Sequence, residues 1–250
     1  MNRVSHPQTA RRVVVLSDVH GNAVALEAVL AELDAAAPDL VVFGGDLTWG
    51  PLPEQTLALV DALAVPALFV RGNAERALLE PSKEPTERER WLAERHTGEA
   101  LAFVSSFVEQ ASVEVDGLGP VRFCHGSPRS DEECVTPETP EKRVRAMMAE
   151  ISERILVTAH THVQFDRHVA GFRSINPGSV GMPYEGVPGA YWAVLGPGVE
   201  LRRTEYSLEQ AAAAYRASDD PLAEQMVEML ETPPSREELI EHAERLEFSG

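Results

Sequence analysis

The sequence has little cysteine, few basic residues and no long apolar run, and each shortage removes a class of explanation. Cys124 and Cys134 are the two cysteines in 250 residues, too few for a disulfide framework, so a reducing compartment, the cytoplasm, is expected. Lys and Arg number 22 against 40 Asp and Glu, a formal net charge of -18. That balance argues against non-specific binding to nucleic acid or to an anionic membrane, because both need a basic surface. The stretch before Val13 has no apolar segment of signal-peptide length, and the Val13–Leu16 run is far too short to span a bilayer. What is present is ordinary for a globular chain, with 44% hydrophobic and 25% charged residues. This length permits one sizeable α/β domain with a substantial core.

Residues 1–10 read as a flexible leader. From Arg12 the N-terminal half alternates apolar strands with helical patterns. Strands are expected at 12–18, 40–43 and 67–70, and helices at 22–33 and 57–63, which predicts a largely parallel sheet with covering helices. Residues 86–109 form a long helix or a helix pair. Beyond 110 the texture changes to short β-rich runs at 111–115, 121–124, 155–158, 165–169, 172–175, 190–195 and 199–203. Turn residues separate many of them, which suggests antiparallel pairing and a second sheet, one from each half of the chain. A domain over 11–205 is followed by an acidic helical extension over 206–250, packed on the same domain, in which Ser235-Arg236-Glu237-Glu238 fits a capping box.

Polar residues of one chemical kind stand at the ends of these strands. Asp18 and His20 close the first in SDVHGN, Asp46 the second in GGDLTWGP and Asn73 the third in RGNAE. His125 ends a later strand in FCHGSP, and His160 and His162 lie two apart in TAHTH. Residues two apart on an extended chain point the same way, so each pair would converge on one point. Carboxyl ends of strands are where α/β sheets gather their ligands. Each residue has a bland reading as well: Asn22 can cap a helix, Asp46 can serve a turn, Asn73 can be an N-cap and His125 a surface residue. The joint occurrence of all five motifs in one order, each after an apolar strand, favours a site. Oxygen ligands mixed with imidazoles suit Mn, Fe, Zn or similar ions, and a pair of such ions can clamp a phosphate and generate a hydroxide.

The series SDVHGN, GGDLTWGP, RGNAE, FCHGSP, TAHTHVQ and NPGSVG resembles the calcineurin-like metallophosphoesterase superfamily, in its small bacterial phosphodiesterase-like branch, over about Val13 to Arg203. The resemblance implies a four-layer α/β/β/α sandwich of two mixed sheets, here followed by C-terminal helices. It also implies a dinuclear centre with one metal on Asp18, His20, Asp46 and His162 and a second on Asp46, Asn73, His125 and His160. Asp46 would bridge them, with Mn or Fe favoured over Zn or Ni, and 176–181 would close the floor. The implied activity is hydrolysis of a small-molecule or nucleotide phosphoester by attack of metal-bound hydroxide. Two carboxylates and a hydroxide against two divalent ions leave such a centre net positive, so it would attract an anionic phosphate even in an acidic protein.

The sequence departs from the family at two places. Where the family has Gly-Asn-His, this chain has Gly72-Asn73-Ala74. Ala74 cannot protonate a leaving group; Glu75 could substitute as the acid, but it is better suited to buttressing or capping. The segment Asp46–Pro51 also lacks the Arg that protein Ser/Thr phosphatases and diadenosine tetraphosphatases carry there. Trp49 is open to stacking on a substrate or to packing. Arg71 and Arg129 are expected in surface salt bridges, His6, His96, His168 and His242 in structural roles, and Cys124 as an inert buried thiol. The rival to a small-molecule phosphoesterase is a catalytically weak or non-catalytic metal-binding member acting in protein interaction or regulation, as a retromer subunit with this fold does.

Overall fold

The computed structural model describes residues 3–6 and 9–246; the rest of the expected leader, residues 1–2 and 7–8, lies outside the described residues. Eleven strands among the described residues form two sheets. The first has the order β11-β10-β2-β3-β4, built from Val199–Thr204, Ala190–Leu195, Val13–Leu16, Leu40–Phe43 and Ala67–Phe69. The second has the order β1-β5-β6-β7-β9-β8, built from Arg3–Ser5, Gln110–Val115, Gly119–Cys124, Ile155–Val157, Phe172–Asn176 and Phe165–Val169.

Burial on both faces explains why the central strands are continuously apolar. In β2 the alternation of side chains sends Val13 and Val15 into the core between the sheets, where they meet Val113, Phe123 and Ile175. Val14 and Leu16 point the other way, against Leu26 and Val29 of α1 (Ala23–Leu30). On the far side, Val144, Met147 and Met148 of α7 (Glu141–Met148) cover Leu156, Phe165 and Val169 of the second sheet. The result is the four-layer α/β/β/α sandwich of two mixed sheets.

Three expectations need correction. The sheets are not contributed one by each half. Strand β10 pairs antiparallel with β2, and β1 pairs parallel with β5, so each sheet draws on both halves. The central pairings of the second sheet, β6 with β7 and β7 with β9, are parallel, not antiparallel. The leader is not loose throughout: Arg3–Ser5 form β1, and Ala10 bridges Val115. Residues 86–109 split into α5 (Glu87–Arg95) and α6 (Glu99–Ser105), separated at Gly98 with φ 54°. Helix α7 falls in a stretch for which no element was expected.

The C-terminal segment forms α8 (Leu208–Arg216), α9 (Ala223–Glu231) and α10 (Arg236–Arg245). Ala211, Tyr215, Met226, Val227 and Leu230 bury against Ala23 and Leu52 of the sandwich. Ser235 caps α10 in a capping box with Glu238. Arg236 pairs with Glu185 at 3.0 Å, and Glu244 accepts hydrogen bonds from Thr136, Thr139 and Arg143. No helix among the described residues is long and apolar enough to cross a membrane.

Candidate metal centre

The seven residues singled out in the sequence all follow carboxyl ends of strands, but not by the extended geometry expected of them. Strand β2 ends at Leu16 and β7 at Val157, so Asp18, His20, His160 and His162 stand on loops. Eight non-glycine residues among those described have positive φ, and five of them are Asp18 (51°), His20 (48°), Asp46 (51°), His160 (64°) and His162 (56°). A left-handed residue with a Cβ costs roughly 1–2 kcal/mol, and such strain persists only where surrounding contacts over-determine it. Here the loops after β2 and β3 are zipped together: Asp18 N–H donates to Gly45 C=O at 3.0 Å, His20 N–H to Asp46 C=O at 2.9 Å and Gly21 N–H to Leu47 C=O at 3.0 Å. The fit leaves no room at Gly50, where a Cβ would stand 1.6 Å from the His20 carbonyl oxygen.

Two clusters result, Asp18 with His20 and His162, and Asp18 with Asp46 and His125, all buried, each with ligand atoms within 4.8 Å of one another. Asp46 lies between them: Oδ2 is 3.7 Å from His20 Nε2, and Oδ1 is 3.5 Å from His125 Nε2. Asp18 thus reaches both clusters, whereas the family pattern implied one metal for it. Asn73 brings Oδ1 to 2.9 Å from His125 Nε2. It is the first residue of α4 (Asn73–Leu79), with Gly72 as the N-cap, so Asn73 does not cap its helix. The His160 ring is half-buried, its centroid 5.1 Å from that of His125, and its backbone N–H donates to Asp18 Oδ2 at 3.3 Å.

Hydrogen bonds fix which nitrogen each imidazole offers. His20 Nδ1–H donates to the Trp49 carbonyl at 3.1 Å, His125 Nδ1–H to Gly44 at 2.8 Å and His162 Nδ1–H to Met182 at 2.6 Å. In its neutral form each ring aims its Nε2 lone pair inward. His20 Nε2 and His162 Nε2 face each other at 3.2 Å, and in the neutral rings both are acceptors. Asp18 Oδ1 is buried without a hydrogen bond, 3.3 Å from His162 Nε2. Lone pairs and carboxylate oxygens converging in this way fit cations, and the mixed N and O donors fit transition-metal or divalent ions. Burial pushes the His20 and His160 pKa values down to about 4, with the neighbouring His162 and His125 acting in the same direction. Burial alone would push Asp18 up and His125 down. The histidines around Asp18 outweigh it and lower that carboxyl, while Asp46 and Asp18 outweigh it at His125 and raise that ring.

The backbone around Asp46 is held by Glu75, buried at 2% exposure. Its Oε2 accepts from Asp46 N–H at 2.9 Å and Gly72 N–H at 2.8 Å, and its Oε1 accepts from Leu47 N–H at 2.8 Å. Ala74 N–H donates to Asp46 Oδ1 at 2.9 Å. Burial, then the charge of Asp46, raises the Glu75 pKa to about 7. With its oxygens committed to three N–H groups, Glu75 is a buttress. Glu75→Gln must turn an NH2 group toward at least one of these donors. It is expected to cost about 2 kcal/mol of stability and roughly 10–100-fold in metal affinity, read by chemical denaturation and manganese titration. Unchanged values in both would refute the buttress role.

Sequence reasoning passed over several supports. Met182 orients His162, and Tyr184 stacks on it with centroids 4.6 Å apart. Ser179 Oγ donates to the Asp18 carbonyl at 2.7 Å, and Asn22, which caps α1, also donates to the Gly181 carbonyl at 3.1 Å. The 176–181 turn therefore holds the Asp18 loop. His96 is structural, linking Leu92 to Thr48. Arg71 pairs with Glu109 and Arg129 with Glu133. Cys124 is buried, and burial raises its pKa, as suits an inert thiol.

Residues 12–195 match the family model described as the calcineurin-like phosphoesterase superfamily domain. The chain belongs to that superfamily. A metallophosphoesterase from Sphaerobacter thermophilus is 28% identical, with a TM-score of 0.72, covering 88% of this chain and 99% of that one. A hypothetical protein from Pyrococcus horikoshii OT3 is 17% identical at a TM-score of 0.79, covering 90% and 99%. A structure described as a novel archaeal phosphodiesterase is 16% identical at a TM-score of 0.50, covering 77% and 99%. These last two show the shared fold. No curated protein sequence matches the chain. Calcineurin-like phosphoesterases are metal-dependent, and the two buried clusters are where this one has candidate residues for a dinuclear centre.

Proposed function

We propose that the protein hydrolyses a phosphodiester of a small molecule or nucleotide with two metal ions, manganese or iron in preference to zinc or nickel. Asp18, His20, Asp46 and His162 would hold one ion and Asp46, Asn73, His125 and His160 the other. The observation that carries the proposal is the inward-facing set of acceptors, above all the apposed His20 and His162 Nε2 atoms and the orphaned Asp18 Oδ1. When bound, two such ions activate water and neutralise charge on a phosphoryl group. The chain's own part is positional. Backbone carbonyls fix the imidazoles, Glu75 and Ala74 N–H fix Asp46, and Trp49 and Tyr184 shelter the centre from water. The similarity to the Sphaerobacter metallophosphoesterase supports the reaction class, and an adjoining cavity of about 380 Å³ gives a second ester arm room.

The test is to quantify bound Mn, Fe, Zn and Ni and to assay bis(p-nitrophenyl) phosphate against p-nitrophenyl phosphate before and after chelation. Bound metal and faster, chelator-sensitive diester turnover are expected. Neither metal nor turnover would overturn the proposal. Metal without turnover would instead favour a binding or regulatory protein, a reading that Ala74 supports because the family's His is missing there.

A further inference from the structure

The cavity beside the metal centre is lined in part by the C-terminal extension. Its floor is His20, Asp46 and Asn73, and Trp49, Ala74 and Ala77 form one wall. Leu222, the N-cap of α9, and Gln225, Met226 and Met229 of α9 also line the cavity. These positions run i, i+3, i+4, i+7 and so share one face of a helix. Of these Met226 is also packed in the core beside Val227 and Leu230, whereas Met229 is half-buried at the cavity. Met229 and the exposed Leu222 thus give this part of the cavity apolar surface that the core of the extension does not use. With Met182, three of the chain's six methionines border this space, and methionine suits an adaptable apolar surface.

Charge is nearly absent from the outer part of this cavity. Arg88 is the lining cation, and it is committed to buried Asp220 at 2.8 Å. A second depression on the other side, beside His125, contains Arg71, Arg76 and Arg129. Each of those guanidiniums is also paired, with Glu109, with Asp131 and Glu132, and with Glu133. Every lining cation of the two spaces thus already faces a carboxylate, which weakens its pull on a second phosphate.

On this basis, and resting on the metal-centre reading above, we propose that the substrate carries a single phosphoryl group with an uncharged apolar or aromatic arm, and that α9 is the specificity wall receiving that arm. Polyphosphate esters are then poor ligands. The decisive experiment uses manganese-loaded full-length protein and unreactive probes: inorganic phosphate, methylphosphonate, phenylphosphonate and pyrophosphate, titrated by calorimetry. Burying the ring should make phenylphosphonate bind about tenfold tighter than methylphosphonate, with pyrophosphate showing no such gain over phosphate. Met229, which is half-buried, is the position to vary. Met229→Glu should bring the phenyl-to-methyl ratio toward one, and Met229→Leu should preserve it. Equal affinities in the unmodified protein, or a ratio indifferent to Met229→Glu, would overturn the assignment of α9. Failure of inorganic phosphate to bind at all would remove the metal-centre reading and this inference with it, a result distinct from equal binding of the two phosphonates.

Discussion

Asp46→Asn is expected to lower bis(p-nitrophenyl) phosphate turnover by about 10³-fold while leaving the fold in place. The reason is where the carboxylate lies: its two oxygens point to different histidines, one toward His20 and the other toward His125. An amide supplies one neutral oxygen in place of two charged ones, and its NH2 would face either Ala74 N–H or the histidine cluster. Because Glu75 holds the Asp46 backbone independently, the variant should keep its secondary structure and its unfolding midpoint near that of the parent. Metal analysis should show depleted occupancy. Activity within threefold of the parent at full metal loading would remove Asp46 from the role of bridging ligand.

Ala74→His should have the opposite sign and a strong dependence on the leaving group. Ala74 stands in the first turn of α4, 5% exposed, in the cavity wall next to the residues proposed to hold metal. A histidine there can place a proton donor where the family pattern has one, and general acid catalysis contributes typically about 10²–10⁴-fold. The benefit falls on alkyl esters, whose alkoxides leave poorly. p-Nitrophenolate needs no proton, so aryl-ester turnover should change little. The measurement is kcat for a dialkyl phosphate and for bis(p-nitrophenyl) phosphate in both proteins. Equal alkyl-ester turnover with and without the histidine would refute the argument that a missing acid limits the parent.

The candidate site was legible in the sequence because its residues are chemically conspicuous at strand ends. Asp18, His20, Asp46, Asn73, His125, His160 and His162 all stand out in the sequence; five of them form the two buried clusters, with Asn73 and His160 beside His125. The reason given for their convergence was wrong in detail. Alternation along an extended strand does not align Asp18 with His20, because both are left-handed and stand beyond the strand. Positive φ at Asp18 and His20 is held by hydrogen bonds to the loop after β3, contacts that strand alternation along one segment does not register. The sequence leaves Glu75 as a buttress, a cap or a substitute acid; its three donors come from two loops and become visible only when β3 and β4 lie side by side.

The apolar runs and their spacing determined two sheets with covering helices, since a strand with both faces apolar has to be covered on both sides. Only the tertiary structure decided how strands were shared between the sheets. That choice depends on pairing β10 with β2 across most of the chain length, and apolar pattern is nearly the same for any partner strand. The extension was legible as helices for the same local reason. Its placement against the metal centre was not, because an amphipathic helix such as α9 states that it has an apolar face without stating what that face meets.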